Sequence, residues 1–310
     1  MPAWLGLPLL MLLALAAFAL WGGFAIAWDA LHPPRKGFAW ALATARPASP
    51  EAAGLQGEEL SLPGVDGVPC PAWRIRGEAP AGAPVLLMLH GWGRSRWDSL
   101  ARVGPLLPAV HQAWLPDLPA HGEHAARRGW VGVREPDAVL AMLLEIWARN
   151  PGAPIVIAGH SLGSGVGLRA AKAALAAGVP VAGVIAWSPY RDLRSPIPGR
   201  LALRGLPAFP FMPVALAMLR AVGCMDRPLE QDVAGLELPV LILTCKDDRI
   251  APAEDAEALA AALPRSTLLE LPGDRHDEPC AGDWPRAEAA LLAFLRSLSR
   301  PSRDEAAAGA

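Results

Sequence analysis

Gly159-His160-Ser161-Leu162-Gly163 follows the apolar run Ile155 to Ala158 and opens a helix-like stretch, so a G-x-S-x-G pentapeptide sits at a strand-to-helix turn. So sharp a turn crowds the backbone. Gly159 and Gly163 relieve that crowding and leave Ser161 standing proud of a sheet, near the free N–H groups of a helix N-terminus. A serine that merely capped a helix would not require flanking glycines. Its hydroxyl is a weak nucleophile and needs a base, which an acid must orient. His276 closes the loop Pro272-Gly273-Asp274-Arg275-His276 and alone among the seven histidines follows the last apolar run. The preceding run ends at Thr244 and leads into Cys245-Lys246-Asp247-Asp248, which offers two candidate acids. Acyl transfer also needs N–H donors for the oxygen that becomes negative. The loop His90-Gly91-Trp92-Gly93, after Val85 to Leu89, can aim the Trp92 N–H beside that of Leu162. Together these residues suit attack by Ser161 on an acyl carbonyl, a reaction that calls for no cofactor.

Such residues must be held at the ends of neighbouring strands. Apolar runs bounded by turn residues recur at Pro84 to Leu89, Gln112 to Pro116, Pro154 to Ala158, Val181 to Trp187, Pro239 to Thr244 and Ser266 to Leu271. Helix-like stretches lie among them at Asp137 to Arg149, Leu162 to Ala177, Ala253 to Leu263 and Trp284 to Leu298. Strands apolar on both faces that alternate with helices predict an α/β fold with a mostly parallel sheet covered on both sides. Ahead of them, a strand to Leu62, the Asp66-Gly67 turn and Val68 to Arg76 predict an antiparallel hairpin. The globular domain is expected over 57–299. It follows a Pro- and Ala-rich connector over 31–56 and precedes a short, frayed tail over 300–310.

The chain has 310 residues, 53% of them hydrophobic, enough for one large core. A formal charge of −2 with scattered arginines gives no stripe for a run of phosphates, which excludes nucleic acid as an expected partner. Cys70, Cys224, Cys245 and Cys280 form no C-x-x-C pair, which argues against a zinc knuckle or dithiol motif and leaves disulfides open.

The HGWG loop, Asp117-Leu-Pro-Ala-His-Gly122, GHSLG, the run Asp247-Asp248-Arg249-Ile250-Ala251-Pro252 and the final His loop together resemble the serine α/β-hydrolase superfamily over roughly residues 57–299. The likeness is strongest to bacterial membrane-anchored esterase-like and serine-aminopeptidase-like members. It implies an α/β-hydrolase fold and a triad of Ser161, Asp248 and His276, because Pro252 sets the acid's register at Asp248 rather than Asp247. Two positions depart from the family's pattern. Cys245 replaces a usual glycine, and Pro119-Ala120 replaces Arg-Gly in a turn near the site. The cluster His121, Glu123 and His124 has the residue types of a metal site, yet the resemblance places it in a structural turn, so no metal is expected. His160 is expected to pack behind Ser161, and His90 to bond within its loop.

From Pro2 to Trp28 there is no charged side chain. As a helix, Leu9 to Trp28 covers about 30 Å, the thickness of a bilayer's hydrocarbon core, with Trp4 and Trp28 near the two interfaces. Residues 1–30 are therefore read as a single-pass anchor to a membrane. The rival is a signal peptide cleaved at Ala25-Ile26-Ala27, against which the long apolar run and the lack of a preceding Lys or Arg both count. Arg35, Lys36 and Arg46 follow the run and place the catalytic domain on the cytoplasmic face.

Residues 191–235 interrupt the strand-helix alternation with an apolar, proline-bearing insertion, read as a lid in which Phe209, Phe211 and Met212 contact substrate. An apolar lid beside an anchor favours small-molecule esters with apolar acyl groups, or lipid-derived monoesters. Amide or peptide cleavage would need carboxylates to hold an ammonium group, and the insertion offers few. A binding protein on an inactive hydrolase fold is the alternative from another class; the intact Ser, Asp and His speak against it.

Overall fold

The computed structural model describes residues 3–225, 227–276, 278 and 281–299, with side chains from residue 7 onward. Cys280, the Trp4 side chain and the tail 300–310 lie outside the described residues.

Eight strands form one sheet: β1 (Gly57–Leu62), β2 (Cys70–Arg76), β3 (Val85–Leu89), β4 (Gln112–Pro116), β5 (Ile155–His160), β6 (Val181–Trp187), β7 (Val240–Cys245) and β8 (Ser266–Leu271), in the order β1-β2-β4-β3-β5-β6-β7-β8. The β1–β2 hairpin pairs antiparallel and β2 meets β4 antiparallel, while β3 through β8 run parallel. Alternation along each central strand divides the core in two. Val85, Leu87, Leu89, Ile155, Ile157, Val240 and Ile242 face one cluster, and Leu86, Met88, Val156, Ala158, Leu241 and Leu243 face the other.

Among the described residues, ten helices cover or flank this sheet: α1 (Ala3–Leu31), α2 (Phe38–Ala43), α3 (Arg96–Val103), α4 (Glu135–Arg149), α5 (Leu162–Ala176), α6 (Pro196–Leu203), α7 (Phe211–Ala221), α8 (Leu229–Asp232), α9 (Ala253–Ala262) and α10 (Trp284–Ser297). α4, α5 and α9 pack on the first face; α3 and α10 pack on the second. Because β3 lies between β4 and β5, connections leave it toward opposite faces, and the loops after β3 and β5 part to leave a crevice.

A third cluster stands off the sheet and joins α1 to the insertion through Ala27, Leu31, Leu193, Ile197, Leu201, Ala215 and Leu219. α1 is long and apolar enough over Leu7–Leu31 to cross a membrane. Its first half is bare, while Gly22 and Gly23 let α7 approach closely. A Cβ on Gly22 would stand 2.3 Å from the Phe211 ring, and one on Gly23 would stand 2.5 Å from Val214. The end of α1 is fastened to the domain through its last carbonyls, which have no intrahelical partner. Ala30 O accepts from Trp92 Nε1 at 2.9 Å, and Leu31 O from Gly129 N at 2.8 Å.

Residues 31–56, expected as a connector, do not hang loose. Arg35 donates to the carbonyls of Gly122 and His124, Phe38 N donates to Glu123 Oε1 at 3.1 Å, and Trp97 Nε1 donates to Ala48 O at 3.2 Å. The segment lacks hydropathic periodicity because hydrogen bonds to the turn 117–124, more than a long apolar stripe, hold it in place.

Candidate active site

β5 ends where Ser161 adopts φ 54°, ψ −116°, a backbone conformation that costs an L-residue about 1–3 kcal/mol and persists only if its surroundings enforce it. They do so by close approach. A Cβ on Gly159 would lie 2.2 Å from Gly163 O, and one on Gly163 would lie 2.6 Å from Leu89 O. Ser161 N donates to Trp187 O at 2.8 Å, and Ser164 Oγ reaches Gly159 O at 2.7 Å and Trp187 O at 2.8 Å. The turn is thus tied to β6 from both sides.

Ser161 Oγ lies 2.8 Å from His276 Nε2, and His276 Nδ1 lies 2.7 Å from Asp248 Oδ2. All three residues are buried. A carboxylate only accepts, so Nδ1 carries the proton and Nε2 is free to accept from the serine hydroxyl. Asp248 is itself fixed, with Oδ1 accepting from Ile250 N at 2.8 Å and Ala251 N at 2.9 Å. Asp247, its neighbour, is exposed and bonds through its backbone to Gly273 O at 3.0 Å. Cys245 stays in ordinary extended backbone at the end of β7, so the loop does not depend on a glycine there. Ala120, by contrast, takes φ 67° where the family's glycine would stand.

Trp92 and Leu162 line the cavity beside Ser161. Leu162 is the first residue of α5, so its N–H has no acceptor within the helix. Behind them sit neutral histidines. His90 Nε2 accepts from Leu118 N at 3.0 Å, which obliges Nδ1 to donate to Gly91 O at 2.9 Å; burial lowers its pKa to about 4. His160 donates from Nε2 to His276 O at 2.8 Å and is held neutral by burial, so it braces the loop that carries His276. His121 bonds Pro119 O at 2.9 Å, His124 accepts from Ala126 N at 3.0 Å, and Glu123 pairs with Arg96 at 2.6 Å. His121 and His124 thus bond within their own turn, while Glu123 reaches out to α3 and to Phe38. Asp117 accepts from Arg96 N and Glu123 N at 2.8 and 2.9 Å; burial nonetheless raises its pKa to about 6.

The cavity above Ser161 has a volume of about 430 Å³, within the range of small-molecule sites. Phe211 of the insertion lines it. Phe209 and Met212, also expected to meet substrate, are not among its lining residues. Phe209 precedes α7 and is 78% exposed, whereas Met212, one helical step past Phe211, turns into the third cluster. Sequence reasoning missed a wall contributed by α1. The Gly22-Gly23 pair inside an apolar span was the available signal, since small residues mark where helices approach closely.

A sequence profile of the alpha/beta hydrolase family matches residues 86–294. A curated relative, the magnesium-chelatase 30 kDa subunit of Rhodobacter capsulatus, is 33% identical over 143 residues, covering 45% of this chain and 47% of the relative. The chain thus spans about half the length of that relative. Among solved structures, a Pyrococcus furiosus esterase is similar with a TM-score of 0.68 in one crystal form, at 17% identity over 86% of this chain and 97% of that one. A Thermogutta terrifontis esterase gives a TM-score of 0.56 at 22% identity over 78% of this chain and 100% of the other. An esterase from Rhodococcus sp. ECU1013 gives 0.57 at 21% identity over 78% and 99%. With two thirds of its length matched by the family profile, this chain belongs to the alpha/beta hydrolase family.

Proposed function

We propose that this protein is a serine hydrolase of carboxylic esters with apolar acyl groups, acting through an acyl-enzyme on Ser161. The observation that carries the reading is the hydrogen-bonded series from Asp248 through His276 to Ser161, which opens on an apolar cavity. Ser161 Oγ attacks the ester carbonyl as His276 Nε2 takes its proton, and the carbonyl electrons move onto an oxygen held by the Trp92 and Leu162 N–H groups. Collapse expels the alcohol, which leaves with the proton from Nε2. Water then attacks the acyl-enzyme by the same route and releases the acid. Asp248 keeps the imidazole in the required tautomer and stabilises the imidazolium.

Amide cleavage by an aminopeptidase needs a free carboxylate for the substrate's ammonium. The carboxylate lining the cavity is Asp29, which lies 3.5 Å from Arg204, and this favours esters. α1 serves as a membrane anchor in this reading. Arg35, Lys36 and Arg46 beyond it support a cytoplasmic position for the domain, so a C-terminal alkaline phosphatase fusion should be inactive. The decisive comparison is kcat/KM for neutral acyl esters against aminoacyl amides. Faster turnover of the esters is expected, and faster turnover of the amides would overturn the substrate assignment.

A further inference from the structure

α1 does more than approach the site. Phe18, Trp21, Gly22, Ala25, Ile26 and Asp29 all line the cavity that holds Ser161. Their spacing of three and four residues makes them one stripe along a single helix face. The stripe has a direction. Its C-terminal end is fixed beside the reacting atoms, because Trp92 Nε1 bonds Ala30 O, and Gly91 is packed so tightly on the turn that an added Cβ would lie 3.3 Å from Ser161 Cβ. Its other end meets the insertion, where Phe18 and Phe211 stand edge to face with centroids 5.2 Å apart. From Ile26 to Phe18 the helix rises about 12 Å. The polar lining residues Asp29, Arg200 and Arg204 accompany the Ser161 end, with Arg200 over the Trp92 ring at 4.7 Å and Arg204 near Asp29. Toward Phe18 the lining residues Gly22, Trp21 and Phe18 are apolar. Trp21 is 67% exposed and Ala25 is exposed too, so the cavity is open along α1 itself.

We infer that α1 is part of the substrate site, an acyl-chain gauge along which the chain runs from Ser161 past Ile26 and Ala25 toward Trp21. This rests on the esterase reading and narrows its substrate to straight-chain acyl esters. Because the gauge lies within the stretch apolar enough to enter a bilayer, the acyl chain meets it in the lipid phase. Bulk added partway along the gauge shortens the longest chain that fits and leaves the reacting end untouched. Removing bulk further out does the reverse.

The test uses the full-length protein in detergent micelles with p-nitrophenyl acetate, octanoate, dodecanoate and hexadecanoate, alongside fluorophosphonate labelling. Ala25→Trp should lower kcat/KM for dodecanoate and hexadecanoate by roughly tenfold or more while acetate stays within about twofold. Trp21→Ala should move the optimum to longer chains. Retained labelling of both variants shows that each has folded around an intact site. Wild-type protein that neither labels nor turns over any of the esters overturns the esterase reading and the gauge with it. If both variants label and hydrolyse with the wild-type chain-length profile, the gauge alone is overturned.

Discussion

The crevice at the strand ends and the cap above it are held by different forces. In the crevice, Ser161, Asp248 and His276 sit on turns whose backbone is fixed by close approach and hydrogen bonds, with Gly163 against Leu89 O and Asp248 between Ile250 N and Ala251 N. In the cap, α1, α6 and α7 meet through apolar side chains, and the Trp92–Ala30 bond ties that assembly to the crevice below. A change of one atom in the crevice alters chemistry on an intact frame. In the cap, a change in side-chain volume alters what fits.

The sharpest separation of the two regions comes from Asp248 and Asp247. Asp248→Asn should depress kcat by about four orders of magnitude, since it holds the wrong imidazole tautomer, with little change in thermal midpoint. Asp247→Asn, at an exposed neighbour, should leave both near wild type. A crippled Asp247 variant beside a near-normal Asp248 variant would move the acid by one residue.

Acid should weaken the crevice. His90, His121, His124 and His160 are all held neutral by burial, with pKa values of about 4, 3 and 4 for the first three. A histidine depressed in the fold stabilises it above the unfolded pKa near 6.5 and loses that contribution as pH falls toward its folded value. Buried Asp117, Glu135 and Asp255 are shifted upward and favour the fold as pH falls, which softens the slope. With four histidines against three carboxyls, the thermal midpoint should decline between pH 6.5 and about 4. A midpoint that rose over this window would contradict the neutral state of the histidines.

Trp92→Phe keeps the backbone N–H and removes the bond to Ala30 O. The loss of about 1 kcal/mol should lower the thermal midpoint by about 2–4 °C. If α1 meets the acyl chain as proposed, turnover of long acyl esters should fall several-fold more than that of acetate, because that helix is loosened while the backbone N–H of residue 92 remains. Equal losses on all esters would place the effect in the crevice instead. A small gain is expected at Ala45, which lies just past the C-cap of α2 with φ 53° and is exposed. Glycine at that position should add up to about 1 kcal/mol of stability, read as a higher urea midpoint, with activity unchanged.

The same contrast explains what could be read from the amino-acid order. Strands β3 to β8 announce themselves as short apolar runs between turn residues, and four of them, β3, β5, β7 and β8, lead into a residue type that the proposed chemistry demands. That is why Ser161, His276 and the HGWG loop could be placed before any coordinates. The choice of Asp248 over Asp247 needed a register taken from Pro252. The cap was less legible. α1 is apolar on every side, so the stripe from Phe18 to Asp29 carries no hydropathy contrast until its final residue. Its partner α7 lies about 190 residues away, and nothing local links them. Phe209 and Met212 were chosen for their type, but of the three only Phe211 is among the residues lining the cavity: Phe209 stands ahead of α7 and Met212 is one helical step round from Phe211.

The central claim is that Ser161 is the nucleophile. Wild-type protein treated with a biotinylated fluorophosphonate, digested and analysed by tandem mass spectrometry should carry one adduct, on the peptide containing Ser161, with ester turnover lost in proportion to labelling. Ser161→Ala should give neither adduct nor turnover. An adduct on another residue, or ester hydrolysis that survived in Ser161→Ala, would contradict it.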